Sequence, residues 1–174
     1  MEQLNKLKKS NSQNHPDSLD STDFKLLEAL QTDASLSNQA LAERVHISPP
    51  TCLRRVKRLR DAGLIERQIA LLSPDKLSVL LGHGLTALVE ITLDRQAAGY
   101  LEAFEHRVAQ ENAVQQCYRV SPGPDFILLV HVLDMPHYLA LTQRLFTDDT
   151  NVRNVKAFFS TKRSKFEPKV LLPL

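Results

Sequence analysis

The chain has 174 residues, 43% of them hydrophobic and 24% charged, with a formal net charge of +2. That length fits one large domain or two small ones, and the composition excludes collagen-like, disordered and disulfide-scaffold classes. No apolar run approaches the roughly 20 residues that span a bilayer, and the polar start from Met1 to Leu19 has no apolar core of a secretory signal. Cys52 and Cys117 are far apart in sequence and read as free thiols of a reducing cytoplasm.

Residues 1–18, rich in Lys, Asn, Ser and Gln, cannot build a core and are expected to form a disordered arm. Asp20 is a good N-cap and Asp23 an acid in the first turn of a helix over 21–32, with Phe24, Leu27 and Leu30 as its stripe and Leu26 beside it. Ser37 caps a second helix running to Val45, with Ala40, Leu41, Ala42 and Val45 inside. Ser48 caps a third, Pro49 stands at its first position, and Cys52, Leu53, Val56 and Leu59 face inward. Gly63 ends it. Between Ser48 and Arg60 lie five basic residues and no acid, whereas from Asp75 onward 11 bases balance 11 acids.

Two short helices, the second apolar inside and basic outside, form a helix-turn-helix pattern over 19–66. In that geometry the tip of the second helix meets the major groove of double-stranded DNA. Ser48, Pro50 and Thr51 lie nearest the bases, Arg54, Arg55 and Arg58 follow on the outward face, and Ser37 with Asn38 starts the helix that meets a phosphate. Lys57 and Arg60 read as solvated.

Beyond Gly63 the apolar period changes. Ile65, Arg67, Ile69 and Leu71 fall at spacing two, predicting a strand within a linker and hinge over 67–84, while Lys76 to Leu81 stays ambiguous. Residues 85–174 then read β-α-β-β-α-β: a strand 85–93, a helix capped by Asp94 and running to Ala109, strands 114–120 and 126–133, a helix from Pro136 carrying Leu139, Leu141, Leu145 and Phe146, and a strand from Val152 to about Ser164. This is a ferredoxin-like α+β arrangement with both helices on one face of an antiparallel sheet. The strand from Phe126 is apolar on both sides, so the bare face is expected to be covered by a second copy.

No catalytic constellation, phosphate loop or zinc spacing stands out. No cofactor is implied, and His131 and His137 read as surface or interface histidines. The turn Ser121-Pro122-Gly123-Pro124-Asp125 is a second candidate site. Its Asp125 can receive an ammonium group or cap the turn, with capping favoured.

The run ISPPTCLRRVKRLRDAGLIERQIALLSPDKL from Ile47, the helices before it and VSPGPDFILLVHVLDM from Val120 resemble the Lrp/AsnC family of transcription factors. The resemblance implies an N-terminal winged helix-turn-helix, a linking strand and a C-terminal effector (RAM-type) domain. It implies a cytoplasmic, nucleoid-associated regulator that forms homodimers, often assembled to octamers, and binds amino acids or related metabolites between subunits. Carried over by position, Ser121, Gly123 and Asp125 fall on the effector turn, with Phe158 and Phe159 on the last strand beside it. The family usually has glycine where Pro122 stands, and Pro124 removes a backbone donor. Some haem-biosynthetic decarboxylases acting on sirohaem resemble the same family in both domains. The cationic face of the third helix favours a DNA-binding protein over that enzyme.

Overall fold

The computed structural model describes residues 18–82 and 84–173, so the expected arm lies outside the described residues except for Ser18. The chain divides into two compact units. One takes the residues up to Ala70 together with the tail from Glu167, and the other runs from Leu71 to Phe166.

The first unit is helical. Helix α1 (Ser21–Thr32) begins with the expected Asp20 cap, reinforced into a capping box by the Asp23 side chain. Its buried stripe is centred on Leu26 and Ala29, with Phe24, Leu27 and Leu30 flanking it at half burial. Helix α2 (Asn38–Arg44) starts at Ser37, whose hydroxyl accepts from the Ala40 N–H at 3.2 Å, and buries Leu41, Ala42 and the following Val45. The turn out of α2 runs through His46 at φ 58°. Helix α3 (Pro49–Asp61) carries Pro49 at its first position and buries Cys52 and Leu59, with Val56 half-buried between them. Each fully buried leucine here contributes about 1.5–3 kcal/mol. Leu53 departs from expectation: it is 61% exposed. The inward stripe keeps to 52, 56 and 59, and Leu53 lies about 100° around the helix from it. Gly63, at φ 71°, stops the helix as expected.

Between Ile65 and Leu71 no strand forms among the described residues, and Ile69 and Leu71 are exposed. A strand needs a ladder partner, and among the described residues no backbone hydrogen bond reaches this segment from another. Lys76 to Leu81 belongs to helix α4 (Pro74–Leu81), capped by Ser73 and opened by Pro74.

In the second unit β1 (Leu85–Leu93), α5 (Ala98–Ala109), β2 (Val114–Arg119), β3 (Phe126–Val132), α6 (Met135–Thr142, prolonged by a π turn over Gln143–Thr147) and β4 (Val152–Phe159) follow the expected order. The sheet runs β2-β3-β1-β4 with every pair antiparallel. Ala87, Val89, Ile91 and Leu93 of β1 and Phe126, Leu128 and Val130 of β3 are buried with Phe104 and Val108 of α5 and Leu141, Leu145 and Phe146 of α6 and its extension.

Three expectations are corrected. Asp94 does not cap α5; its N–H donates to the Asn151 carbonyl at 2.9 Å, and Ala97 takes the cap position without a side-chain bond. Residues 94–95 are held instead by Asn151, the residue before β4, whose Oδ1 also accepts from the Arg95 N–H. On α6 the inward residue is Tyr138, while Leu139 is 59% exposed, because 138, 141 and 145 keep helical spacing and 139 does not. Finally, β4 stops at Phe159, where its pairing with β1 ends opposite Ala87.

Candidate functional site

The starts of α2 and α3 are tied directly together. Asn38 Nδ2 donates to the Pro49 carbonyl at 2.9 Å, so the two helices share one anchor at their N-terminal ends. Ser48 holds the N-cap backbone conformation of α3, but its hydroxyl makes no capping bond; it pairs with the Thr51 hydroxyl at 2.8 Å. These two hydroxyls and exposed Pro50 therefore form the tip of α3, where the sequence puts the groove-reading residues.

The three arginines of the outward face differ. Arg54 is exposed and makes no ion pair among the described residues. Arg55 Nη1 donates to Asp20 Oδ2 and to Asp23 Oδ1, both at 2.8 Å, and Arg58 Nη2 donates to Asp23 Oδ2 at 2.5 Å. Asp23 is fully buried, whereas the Asp20 side chain is 52% exposed. Asp23 Oδ2 also accepts the Asp20 N–H at 3.0 Å, and Asp20 Oδ1 the Asp23 N–H at 2.9 Å. A buried carboxylate held by two guanidiniums and a backbone N–H meets the condition under which a buried charge is tolerated. Burial alone would raise the Asp20 carboxyl, but the Asp23 N–H and Arg55 outweigh it and hold it below the usual carboxylate range. Sequence reasoning read Asp23 as a first-turn acid and missed this role. A signal was there: 23, 26 and 30 keep helical spacing, so Asp23 lies on the apolar stripe of α1.

The turn Ser121–Asp125 closes β2 onto β3, with Gly123 at φ 127°, a conformation that glycine alone adopts without strain. Asp125 is fixed at three points. Its N–H donates to the Ile91 carbonyl at 2.8 Å, its carbonyl accepts from the Val120 N–H at 3.0 Å, and its Oδ2 accepts from the Leu93 N–H at 2.7 Å. One carboxylate oxygen thus caps the end of β1, 32 residues earlier in the chain, rather than the turn itself as the sequence suggested, and Oδ1 is left over. Ser121 and Gly123 are exposed at the same turn.

Phe158 and Phe159 do not sit beside this turn in one chain. They pair with Leu88 and Ala87, whereas the turn abuts Ile91 and Leu93. Along β1 the nearest of these, Leu88 and Ile91, are three residues apart, about 10 Å at strand rise. Nor do they share a face. Phe159 packs on the helix side, edge-on to Tyr138 at 5.1 Å, while Phe158 lies on the other side beneath the Lys156 ammonium at 4.6 Å. That other side carries Leu88, Phe158 and Tyr118, all more than 40% exposed, with half-buried Ile127 and Leu129 between them. A cleft between α5 and β2, lined by Glu105, Val108, Val114 and Cys117, contains none of the predicted site residues. Among the described residues no group of three or more His, Cys, Asp or Glu can hold a metal, and no helix is long and apolar enough to cross a membrane.

Residues 19–66 match the family described as winged helix-turn-helix DNA-binding, and residues 86–170 the Lrp/AsnC ligand binding domain. The chain is 36% identical over 154 residues to an uncharacterized HTH-type transcriptional regulator of Haemophilus influenzae, covering 88% of this chain and 89% of that one. It is 40% identical over 123 residues to the leucine-responsive regulatory protein of Escherichia coli, covering 71% and 73%. A transcriptional regulator of Neisseria meningitidis, crystallised as a complex with L-methionine, superposes with a TM-score of 0.76 at 33% identity, over 88% of this chain and 97% of that one.

Proposed function

The chain belongs to the Lrp/AsnC family of DNA-binding transcriptional regulators, and from that premise we propose which of its residues do the work. Ser48, Pro50, Thr51 and Arg54 read the major groove of double-stranded DNA, Arg55 and Arg58 meet phosphates beside it, and the start of α2 at Ser37 and Asn38 faces the backbone. The observation that carries this reading is the α3 surface itself: exposed Arg54 beside a Ser48–Thr51 hydroxyl pair at the helix tip. Two copies joined through the bare sheet face present two such helices, and larger homo-oligomers, octamers included, extend that pairing. The effector is an amino acid or a related metabolite held at Ser121, Gly123 and Asp125 between subunits, as the L-methionine complex of the Neisseria regulator suggests. Because the turn and the Phe158–Phe159 end of β4 are held to different stretches of β1, about 10 Å or more apart along the strand, and the two phenylalanines lie on opposite faces, we take a site using both to draw them from two copies. The protein works in the cytoplasm, at the nucleoid.

Selection of duplexes from a random pool tests the DNA reading. Enriched sites should show two-fold symmetry, with half-sites about one helical turn, roughly 34 Å, apart or a multiple of it. Arg54→Ala should relax preference at one base position by about 1–3 kcal/mol. A pool without enrichment at moderate salt refutes the assignment.

A further inference from the structure

The two carboxylates that hold Arg55 differ in a way that bears on DNA binding. Asp23 is buried and wholly committed: to Arg55, to Arg58 and to the Asp20 N–H. Asp20 is half-exposed, and only its Oδ2 engages Arg55; its Oδ1 caps α1. Arg55 gives the same nitrogen, Nη1, to both acids, and its Nε has no hydrogen-bond partner.

We propose that Asp23 is a positioning residue that aims the Arg55 guanidinium, and that Asp20 is an internal stand-in for a DNA phosphate which the phosphate displaces on binding. The proposal rests on the reading of Arg55 as a phosphate contact. An oxygen of a phosphate and an oxygen of a carboxylate offer a guanidinium the same charge-assisted acceptor. The exposed partner is the one that can be exchanged. Asp20 gives up only a solvent-screened pair, whereas releasing Asp23 would strand a buried charge. Once phosphate replaces it, the Asp20 charge is left close to the DNA backbone and opposes the complex. Asp20 therefore sets a ceiling on affinity, while Asp23 supports it. Removing the two acids should move DNA binding in opposite directions, which a purely structural role for the cluster does not predict.

Asp20→Asn isolates the effect, because asparagine caps a helix as well as aspartate does, and with its amide oxygen held by the Asp23 N–H it turns toward Arg55 an NH2 group, which donates and cannot accept. The full-length protein and a duplex recovered by selection are titrated at several salt concentrations. Asp20→Asn should tighten binding about two- to fivefold at low salt, the range of an exposed ion pair. Asp23→Asn should weaken it, with folding checked by circular dichroism. Arg55→Ala should weaken binding and lower the salt slope by about 0.9, the signature of one lost phosphate contact, and Arg55→Lys should restore most of that slope. If Arg55→Ala behaves so but Asp20→Asn binds no tighter than the wild type, the exchange is overturned and the phosphate contact stands. If folded Arg55→Ala keeps both affinity and slope, Arg55 does not meet phosphate and both readings fall.

Discussion

Substitutions at Asp125 separate the cap from the ligand site, because the two roles use different oxygens. Oδ2 accepts the Leu93 N–H at 2.7 Å in a partly buried setting. Asp125→Ala strands that N–H at the last residue of β1, and a hydrogen bond to a charged group is worth about 1.5–3 kcal/mol. For a unit of this size 1 kcal/mol shifts the melting temperature by about 4–8 °C, so a loss on the order of 10 °C is expected. Asp125→Asn keeps an acceptor for Leu93 and removes only the charge. It should stay within about 1 kcal/mol of the wild type, because the bond changes from charged to neutral without being lost. A zwitterionic amino acid needs that charge for its ammonium. Differential scanning fluorimetry against the twenty amino acids reads both effects: a true effector at 100 times its dissociation constant stabilises the wild type by about 2.7 kcal/mol. The response should vanish in Asp125→Asn while the melting temperature without ligand is nearly kept. A full response in that variant refutes the ammonium contact. No response of the wild type to any of the twenty leaves Asp125 only a cap for the end of β1 and refutes the amino-acid assignment.

The remaining expectations are shorter. The wild type should sediment as a dimer or larger at micromolar concentration, and Leu129→Glu, at the centre of the bare sheet face, should be monomeric, because an unpaired carboxylate in an interface costs several kcal/mol; a wild-type monomer refutes the covering of that face by a second copy. His46 stands at φ 58° in the turn between α2 and α3. His46→Gly should therefore raise stability by about 0.5–1 kcal/mol, the left-handed penalty less the added freedom of the unfolded chain, and a midpoint in urea that stays put or falls would show the turn is unstrained. The Asp20 carboxyl titrates below its unfolded value, so its stabilisation is complete above about pH 4 and disappears as the pH falls through the folded value. Asp20→Asn should flatten the acid limb of a stability–pH curve below about pH 4; an unchanged limb means that the carboxylate contributes nothing there.

What was legible in the sequence was what a short stretch of chain decides by itself. Asp20, Ser37, Pro49 and Gly63 mark helix ends through bonds and dihedrals made within a few residues, and each stands where expected. The short apolar run of β3 likewise declares a strand, and its Phe126, Leu128, Val130 and Val132 are all buried. Leu53 and Leu139 were misassigned by one position within their own helices, whereas two other misreadings need a distant partner. Asp94 looks like a cap, but Asn151 takes its N–H from 57 residues away. Ile65 to Leu71 has the period of a strand but, among the described residues, no strand to pair with.

The same cause governs the candidate site. Periodicity turns Arg55 and Arg58 outward from α3, yet α1 brings a buried carboxylate to meet them, 32 and 35 residues earlier in the chain. No reading of α3 alone can reveal that, and on the proposed phosphate contact of Arg55 the consequence is functional. An arginine already paired is oriented before DNA arrives, so it loses less freedom on binding than a free side chain such as Arg54 would. The benefit depends on the pair being only half exchangeable. A guanidinium held by two buried acids would be unavailable to phosphate, and one held by none would be as costly to order as any surface arginine. One buried acid and one exposed acid on the same nitrogen meet both requirements, and that division of labour follows from a single fact of the fold: Asp20 stands at the solvent end of α1 and Asp23 one turn further in.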